Sequence, residues 1–237
     1  MTVSLSSGQD GPKRAAALRA VEEVEDGMTV GLGSGSTAAF AVEALAARIA
    51  KGLRVVGIPT SEKTAALARR LGVPLTSFAQ RRRIDVAIDG ADQVARFTLD
   101  LVKGLGGALL REKIVAAASD RMIVVVDETK LVDHLGGKTP LPVEIVTFGW
   151  QSVLDRLAVS GCAPRLRMSA EKPFTTDGGN YIVDCAIAEL PDPAALEARL
   201  SAIIGVVESG LFIGLASKIV VGRATGVDVL DRAGRPQ

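Results

Sequence analysis

The sequence predicts an α/β fold in which helices cover both faces of a mostly parallel, Rossmann-like sheet, with a small α+β domain attached. Apolar strand-like runs alternate with helix-like segments up to residue 126. These runs are apolar throughout, which is typical of strands buried on both faces of a parallel sheet. After residue 140 the order becomes β-α-β-β-α-β, which indicates a ferredoxin-like module. A chain of 237 residues with 48% apolar residues can build both parts.

The elements of the main sheet are predicted from hydrophobic periodicity and from turn residues. Strands are expected at 28–32, 54–58, 84–88 and 122–126, and helices at 13–26, 38–51, 61–71 and 108–118. Ser61, which follows Pro59 and Thr60, is a favourable N-cap for the third helix. The polar, glycine-bearing segments follow the carboxyl ends of the strands, where open α/β sheets bind their ligands.

The small domain is expected at residues 141–211, between the two parts of a catalytic domain at 1–140 and 212–237. Pro140 and Pro142 mark its start. Two later segments are expected to return to the main sheet as strands, 218–222 and 227–230. The elements predicted within the small domain are strands at 143–148, 163–168, 181–187 and 206–211 and helices at 150–158 and 193–204.

The charge pattern excludes several classes of partner. The chain has 28 basic and 27 acidic residues, and its one dense basic run, Arg81–Arg83, is interpreted as a solvated loop, so the clustered cations of a nucleic-acid footprint are missing. The opening MTVSLSSGQDGPKR has no signal-peptide core, and no apolar run is long enough to span a bilayer. We therefore expect a cytoplasmic protein with neither a nucleic-acid nor a membrane partner.

Histidine and cysteine usage argues against metal chemistry. His134 is the only histidine, and Cys162 and Cys185 are the only cysteines, with no CxxC spacing. A His-rich transition-metal site is excluded by these numbers, and neither a zinc site nor a disulfide framework is implied. His134 is interpreted as a surface loop residue and the cysteines as small buried side chains. These residues therefore predict no zinc or other transition-metal site.

The first segment that carries chemistry is the glycine-rich stretch 33–37, between a predicted strand and a predicted helix. Backbone N–H groups and the helix dipole attract an anion there, and the hydroxyls of Ser34, Ser36 and Thr37 add donors. The stretch lacks the lysine of a Walker A motif, and the second strand ends without the acidic residue that binds a ribose. A compact phosphate or sugar is favoured over a nucleotide, although a tight turn with a serine N-cap explains the residues equally well.

The second segment is Asp89-Gly90-Ala91-Asp92, at the end of an apolar strand. Its two carboxylates are expected to face one pocket. There they would bind sugar hydroxyls, transfer protons or hold Mg²⁺. A purely structural role, with Asp92 capping a helix or a turn, is the alternative.

The third segment runs from Lys103 to Lys113. Three glycines within 104–107 open a helix and let the backbone pass close to a ligand, and Lys103 would face a phosphate or a developing oxyanion. Glu112 would point back toward this loop, and burial would make its carboxylate a stronger base. The alternative is an exposed glutamate between Arg111 and Lys113.

Taken in this order, the segments resemble the ribose-5-phosphate isomerases of the A type, over essentially the whole chain. The combination is specific, although no single piece is. The stretches that carry the resemblance are GLGSGSTAAF (31–40), IPTS (58–61), DGAD (89–92), KGLGGALLREKIVA (103–116), VDETK (126–130) and LGGKTPLPVEI (135–145).

The resemblance implies reversible conversion of D-ribose 5-phosphate to D-ribulose 5-phosphate through a cis-enediolate, with no metal and no cofactor. It implies that Glu112 moves the proton between C2 and C1 and that Lys103 stabilises the enediolate oxygens. Asp89 would assist opening of the furanose ring, and Asp92 would help to bind and position the substrate. A homodimer or homotetramer is implied as well. The further substrate contacts implied by the resemblance are Ser34, Gly35, Ser36, Thr37, Gly90, Ala91, Gly104, Leu105, Gly106, Lys130 and, less directly, Lys13.

Two positions depart from the family's commonest pattern, and two other functions stay open. Leu105 stands where a glycine is often found, and Gln93 stands where a glutamate often follows the acidic turn. One alternative is a non-catalytic domain that senses a sugar phosphate, which would need neither Glu112 nor Lys103. Another is an acyl-CoA transferase of related fold, although the short loops leave little surface for a coenzyme.

Overall fold

The computed structural model describes residues 10–232, so residues 1–9 and 233–237 of the predicted catalytic domain lie outside it. Within the described residues the chain forms two compact units. The first unit comprises 10–90, 115–131 and 216–232, and the second comprises 91–114 and 132–215. No helix among residues 10–232 is long and apolar enough to cross a membrane.

Six α-helices and sixteen strands make up the described chain. The helices are α1 (Asp10–Val21), α2 (Ser36–Ile49), α3 (Glu62–Arg70), α4 (Leu109–Ala117), α5 (Trp150–Val159) and α6 (Pro193–Ser201), with a 3₁₀ turn at Glu128–Lys130. The strands are β1 (Thr29–Leu32), β2 (Val56–Pro59), β3 (Val86–Asp89), β4 (Gln93–Ala95), β5 (Leu101–Val102), β6 (Met122–Asp127), β7 (Leu131–Val132), β8 (Leu141–Ile145), β9 (Ala163–Leu166), β10 (Met168–Ser169), β11 (Lys172–Pro173), β12 (Tyr181–Ala186), β13 (Val206–Ser209), β14 (Leu211–Phe212), β15 (Lys218–Arg223) and β16 (Gly226–Asp231).

The first unit is built on a six-stranded sheet in the order β16-β15-β6-β3-β1-β2. All neighbours are parallel except β15 and β16, which form an antiparallel pair at one edge. The prediction of a mostly parallel sheet is therefore confirmed. The predicted return of 218–222 and 227–230 to this sheet is also correct, because these residues form β15 and β16.

Helices cover both faces of this sheet. Alternate strand residues such as Val30 and Val86 belong to one apolar core with residues of α1, α2 and α3. On the opposite face, a Cβ atom at Gly31 would lie 2.5 Å from Cγ1 of Val115 in α4. Since strand side chains alternate between faces, the part of α4 within this unit, residues 115–117, lies on the side away from α1. The predicted helices on both faces are confirmed.

The second unit contains an antiparallel sheet in the order β13-β8-β12-β9. In the chain, β8, α5, β9, β12, α6 and β13 follow one another, which confirms the ferredoxin-like order, with the hairpin β10–β11 inserted. The predicted strand 143–148 instead begins at Leu141 and ends at Ile145, because Pro142 is accommodated within the strand. Phe148 is consequently 93% exposed.

A further small sheet explains why the units differ from the predicted domain boundaries. Its strand order is β14-β5-β4-β7, and Leu211 of β14 pairs with Val102 of β5. The backbone N–H of Leu190 also donates to the carbonyl of Leu135 at 2.8 Å. These pairings group 91–114, 132–140 and 212–215 with the segment predicted as the small domain. Strands of two or three residues carry too little periodicity to be recognised in a sequence.

Candidate active site

The turn from β1 to α2 is pressed against the end of β3. A Cβ atom at Gly33 would lie 2.2 Å from Oδ1 and 2.5 Å from Cα of Asp89, so only glycine fits. The N–H of Gly33 donates to the carbonyl of Ile88 at 2.9 Å. The glycine-rich segment therefore begins at the carboxyl end of the sheet, as the sequence predicts.

The start of α2 has the chemistry of an anion site. Gly35 is the N-cap with φ of 94°, a conformation that favours glycine, and it supplies no side-chain cap to the helix. The first N–H groups of the helix, at Ser36 and Thr37, thus meet no capping oxygen from Gly35. Their partial positive charge is available to a phosphate.

The hydroxyl of Ser34 is hydrogen bonded within the protein. It contacts the hydroxyls of Thr60 and Ser61, each at 2.8 Å, and of Thr64 at 3.1 Å. Thr64 in turn donates to the carbonyl of Gly33 at 3.0 Å. These contacts brace the turn, and the predicted donation of this hydroxyl to a ligand stays a prediction. Thr60 and Ser61, which follow β2, supply part of that support, and Ser61 is the N-cap of α3 as predicted.

Asp89, the last residue of β3, is only 3% exposed. Its Oδ1 atom accepts hydrogen bonds from the backbone N–H of Ser34 at 3.0 Å and from that of Gly90 at 2.7 Å. The carboxylate is therefore held by the segment that also forms the anion site. Both groups lie in the first unit.

Asp92 belongs to the second unit, because the chain passes between the units after Gly90. Its Oδ2 atom accepts from the backbone N–H of Leu105 at 2.9 Å, and its own N–H donates to the carbonyl of Val102 at 2.8 Å. The two carboxylates of the acidic turn thus have different local partners. Asp92 supports the loop that follows Lys103.

Lys103 is a buried cation at the end of β5. The residue is 2% exposed, and its backbone N–H donates to the carbonyl of Gly210 at 2.9 Å. Its Nζ atom lies 3.5 Å from Oε2 of Glu112 and 5.5 Å from the centre of the Phe212 ring. The structure therefore pairs the residues predicted as the cation and the base.

Glu112 lies in the first turn of α4 and is only 6% exposed. The alternative of an exposed glutamate between Arg111 and Lys113 is therefore wrong. Arg111 donates to the carbonyl of Asp177 at 3.0 Å. The ammonium of Lys113 pairs with Glu197 at 3.1 Å and with Glu208 at 2.8 Å. These flanking contacts hold the start of α4 while the Glu112 side chain is turned inward.

The loop from Gly104 to Gly107 is tightly packed at its two ends. Gly104 has φ of 107°, and a Cβ atom there would lie 2.8 Å from Cδ2 of Leu109. A Cβ atom at Gly107 would lie 2.4 Å from Cζ of Phe174. Leu105, which departs from the family's usual glycine, is 43% exposed, so its side chain is accommodated without crowding. Gly106 is exposed as well.

Sequence reasoning missed Arg167, which binds this loop. Its Nη1 atom donates to the carbonyl oxygens of Gly104 at 3.1 Å and of Leu105 at 3.0 Å. The sequence contains no signal that separates Arg167 from its neighbour Arg165, because both are isolated basic residues close to one strand. Only contacts about sixty residues apart in the chain distinguish them.

Lys13 and Lys130, the two predicted substrate-binding lysines outside the three main segments, lie in the first unit. Nζ of Lys13 is 3.8 Å from Oδ2 of Asp127, and Oδ1 of the same carboxylate accepts from the N–H of Thr129 at 3.0 Å. Lys130 ends the 3₁₀ turn and is half-buried. Their contact with substrate stays a prediction. Among residues 10–232, no three or more His, Cys, Asp and Glu side chains are grouped so as to hold a metal ion.

The structure combines an α/β fold with a buried lysine–glutamate pair, an arrangement suited to acid–base catalysis in an enzyme. The family model described as ribose 5-phosphate isomerase A (phosphoriboisomerase A) matches residues 56–226. Ribose-5-phosphate isomerase A of Gloeobacter violaceus is 56% identical over 224 residues, which cover 94% of this chain and 97% of the relative. The chain belongs to the ribose 5-phosphate isomerase A family.

Solved structures agree with this assignment. Ribose 5-phosphate isomerase A from Methanocaldococcus jannaschii superposes with a TM-score of 0.89 at 40% identity, covering 93% of this chain and 98% of that one. A D-ribose-5-phosphate isomerase in complex with phospho-erythronic acid superposes with a TM-score of 0.91 at 37% identity. That alignment covers 95% of this chain and all of the other.

Proposed function

We propose that this protein interconverts D-ribose 5-phosphate and D-ribulose 5-phosphate. The observation that carries the proposal is the buried pair of Lys103 and Glu112, with Nζ and Oε2 3.5 Å apart. An aldose–ketose isomerisation needs a base for a carbon-bound proton and a cation for the oxygens that become negative. Burial strengthens both effects, since water does not screen the charges.

Glu112 is proposed as the base. With the sugar in its open-chain aldehyde form, the carboxylate takes the proton from C2, and the electrons of that C–H bond form the C1–C2 double bond. The aldehyde oxygen takes up the negative charge, giving the cis-enediolate, in which O2 still carries its proton. That proton passes from O2 to O1, the electrons on O2 then form the C2 carbonyl, and C1 takes back the proton held by Glu112. Lys103 stabilises the negative oxygens throughout.

Asp89 and Asp92 are proposed to support these steps. Asp89 exchanges protons with the sugar oxygens while the furanose ring opens, and two backbone N–H bonds fix its carboxylate for this role. Asp92 positions the loop after Lys103 through the N–H of Leu105. Gly90, Ala91 and the backbone of residues 104–106 are proposed as substrate contacts.

The phosphate is proposed to bind at residues 34–37, with Lys13 and Lys130 adding positive charge. The uncapped N–H groups at the start of α2 and the positive end of the helix dipole favour an anion. A phosphate that takes no part in the bond changes holds the sugar in place for proton transfer. The relative that was solved with phospho-erythronic acid binds a molecule that likewise carries a phosphate.

The hypothesis that the protein is a non-catalytic sensor of a sugar phosphate is less favoured. A sensor that only binds a sugar phosphate needs the anion site, but it gains nothing from burying a lysine beside a glutamate. Moving a charged side chain from water into the protein interior costs about several kcal/mol per ion. The attraction between the two ions must offset this cost. A catalytic role accounts for that arrangement.

We further propose that the protein acts in the cytoplasm as a homodimer or homotetramer. In the second unit, Phe148 is 93% exposed and Ile204 is 81% exposed. Large exposed apolar side chains of this kind are typical of contact surfaces. Light scattering at micromolar concentration would contradict the oligomer if it gave the mass of one 24.6 kDa chain.

The proposed function is tested by NMR of the purified protein with ribose 5-phosphate in D₂O and a chelator. Wild-type protein is expected to form ribulose 5-phosphate with solvent deuterium at the exchanged carbon. Glu112→Gln should slow the reaction by about a thousandfold or more, since a positioned base contributes about 10²–10⁴. Glu171→Gln, which changes an exposed glutamate, is the matched control.

Three outcomes are informative. Product that forms only with a glutamate at position 112 supports the enediolate mechanism. Substrate binding without any product from wild-type protein supports the sensor instead. Equal rates for wild type and Glu112→Gln would leave the isomerase standing and refute the assigned base.

A further inference from the structure

Arg167 occupies a fixed position next to the loop at residues 104–107. Its side chain is only 13% exposed, and Nε donates to Oδ2 of Asp184 at 2.8 Å while Nη2 contacts Oδ1 of the same carboxylate. The guanidinium lies 5.7 Å from the centre of the Phe174 ring. This two-point pairing sets the plane of the guanidinium, which a lysine ammonium could not reproduce.

The peptide group between Gly104 and Leu105 is held at both ends. Its carbonyl oxygen accepts from Nη1 of Arg167 at 3.1 Å, and its N–H donates to Oδ2 of Asp92 at 2.9 Å. Because the peptide group is planar and trans, its C=O and N–H point in opposite directions. Arg167 and Asp92 therefore clamp one peptide group between them. The next carbonyl, of Leu105, also accepts from Arg167, at 3.0 Å.

A clamp matters here because glycine surrounds these peptide groups. Gly104, Gly106 and Gly107 have no Cβ atom to restrict their dihedral angles, so the isolated loop would have many peptide orientations of similar energy. Lys103 directly precedes the loop, and α4, which carries Glu112, begins at Leu109 shortly after it. A reorientation of the loop would therefore displace both Lys103 and Glu112.

We propose that Arg167 is a positioning residue for the isomerisation, acting by fixing the peptide groups of Gly104 and Leu105. The inference rests on the proposed function and extends it. Arg167 need not touch the substrate: its guanidinium is occupied by Asp184 and by two carbonyl oxygens. Its loss should lower turnover more than substrate binding, because only the sugar contacts at residues 104–106 depend on this loop, whereas phosphate binding is assigned to residues 34–37.

The primary test compares Arg167→Ala with Arg165→Ala, which removes an exposed arginine close by in the sequence. We expect kcat of Arg167→Ala to fall by about 10- to 100-fold, the size of effect produced by slight misplacement of a catalytic group. KM should change far less than kcat, and Arg165→Ala should behave as wild type. Added ethylguanidinium should restore part of the kcat of Arg167→Ala, because it can replace the missing donors without repairing general instability.

Arg167→Lys is the second variant, and it distinguishes a loss of positioning from a failure of Arg167→Ala to fold. It keeps a cation beside Asp184 but cannot span that carboxylate and two carbonyls, so its kcat should stay low. Amide hydrogen exchange at Leu105 should be faster in this variant, while exchange in the β8–β12 pair stays slow.

Each contrary result has a distinct meaning. Wild-type kcat in Arg167→Lys, or a loss in Arg167→Ala that tracks its unfolded fraction and ignores ethylguanidinium, would overturn the positioning role. A wild-type protein that does not isomerise ribose 5-phosphate would overturn the proposed function itself.

Discussion

The Nζ atom of Lys103 lies 3.5 Å from Oε2 of Glu112, and the two side chains are 3% and 6% exposed. Phe212, which is fully buried, lies against the ammonium, with 5.5 Å between Nζ and the ring centre. A charged pair in such surroundings depends on each partner for compensation. The pair that supports the proposed chemistry is thus also a structural element.

This dependence predicts a specific pattern of stability. Lys103→Met should lower the free energy of unfolding by about 3 kcal/mol, because it leaves the Glu112 carboxylate buried without this cation. Adding Glu112→Gln to Lys103→Met should recover part of that loss. Urea unfolding of both single variants and the double variant measures the coupling. Independent, additive effects of the two changes would contradict the pairing.

The contact between Gly33 and Asp89 predicts the effect of one methyl group. Gly33→Ala would place a Cβ atom 2.5 Å from the Asp89 Cα, so we expect a loss of at least about 2 kcal/mol in unfolding free energy, typical of overpacking. Gly11→Ala is the matched control in α1, where a Cβ atom meets nothing within 4 Å. It should be neutral or stabilising, since alanine favours a helix. Thermal unfolding of both variants checks the contrast.

The hydrogen bonds of Gln93 predict that its replacement by glutamate lowers stability in a pH-dependent way. Its amide donates to the carbonyl of Gly136 and accepts from the N–H of the same residue, both at 2.8 Å. In Gln93→Glu the carboxylate cannot donate, which should cost about 1–3 kcal/mol, the penalty for an unsatisfied buried group. Burial favours the protonated acid in the folded state, so the folded protein binds that proton more tightly than the unfolded chain.

The deficit of Gln93→Glu should therefore shrink as pH falls and grow as pH rises through the pKa of the introduced carboxyl group. Unfolding by urea at several pH values, for variant and wild type together, measures the difference. A deficit that is constant with pH would show that the amide donor contributes nothing at this position.

Cys162 and Cys185 are expected to be protected thiols. They are 7% and 0% exposed, and neither forms a disulfide bond. Their mutual hydrogen bond lowers the pKa of Cys162, while that same bond, together with burial, raises the pKa of Cys185. Iodoacetamide should modify the native protein slowly and at Cys162 first, and should modify both residues once urea is present. Mass spectrometry locates the label, and rapid native modification of Cys185 would contradict this arrangement.

Much of the fold is predictable from local patterns in the sequence. Ser61 has the side chain that an N-cap requires, and apolar runs such as 122–126 indicate strands buried on both faces. Such signals depend on residues only a few positions apart. The division into units is less predictable, because strands as short as Leu101–Val102 acquire their identity from distant partners such as Leu211.

For the candidate site, the sequence by itself determined which chemical groups are present and in what order. It supplies a glycine turn after a strand, two carboxylates in one short segment, and a lysine followed nine residues later by a glutamate. Only the tertiary structure decided that Glu112 is buried beside Lys103, that the hydroxyl of Ser34 braces its own turn, and that Arg167 clamps the glycine loop. The physical reason is that burial and hydrogen bonding of a polar group depend on atoms brought together by folding. Local sequence preferences contain no record of these contacts.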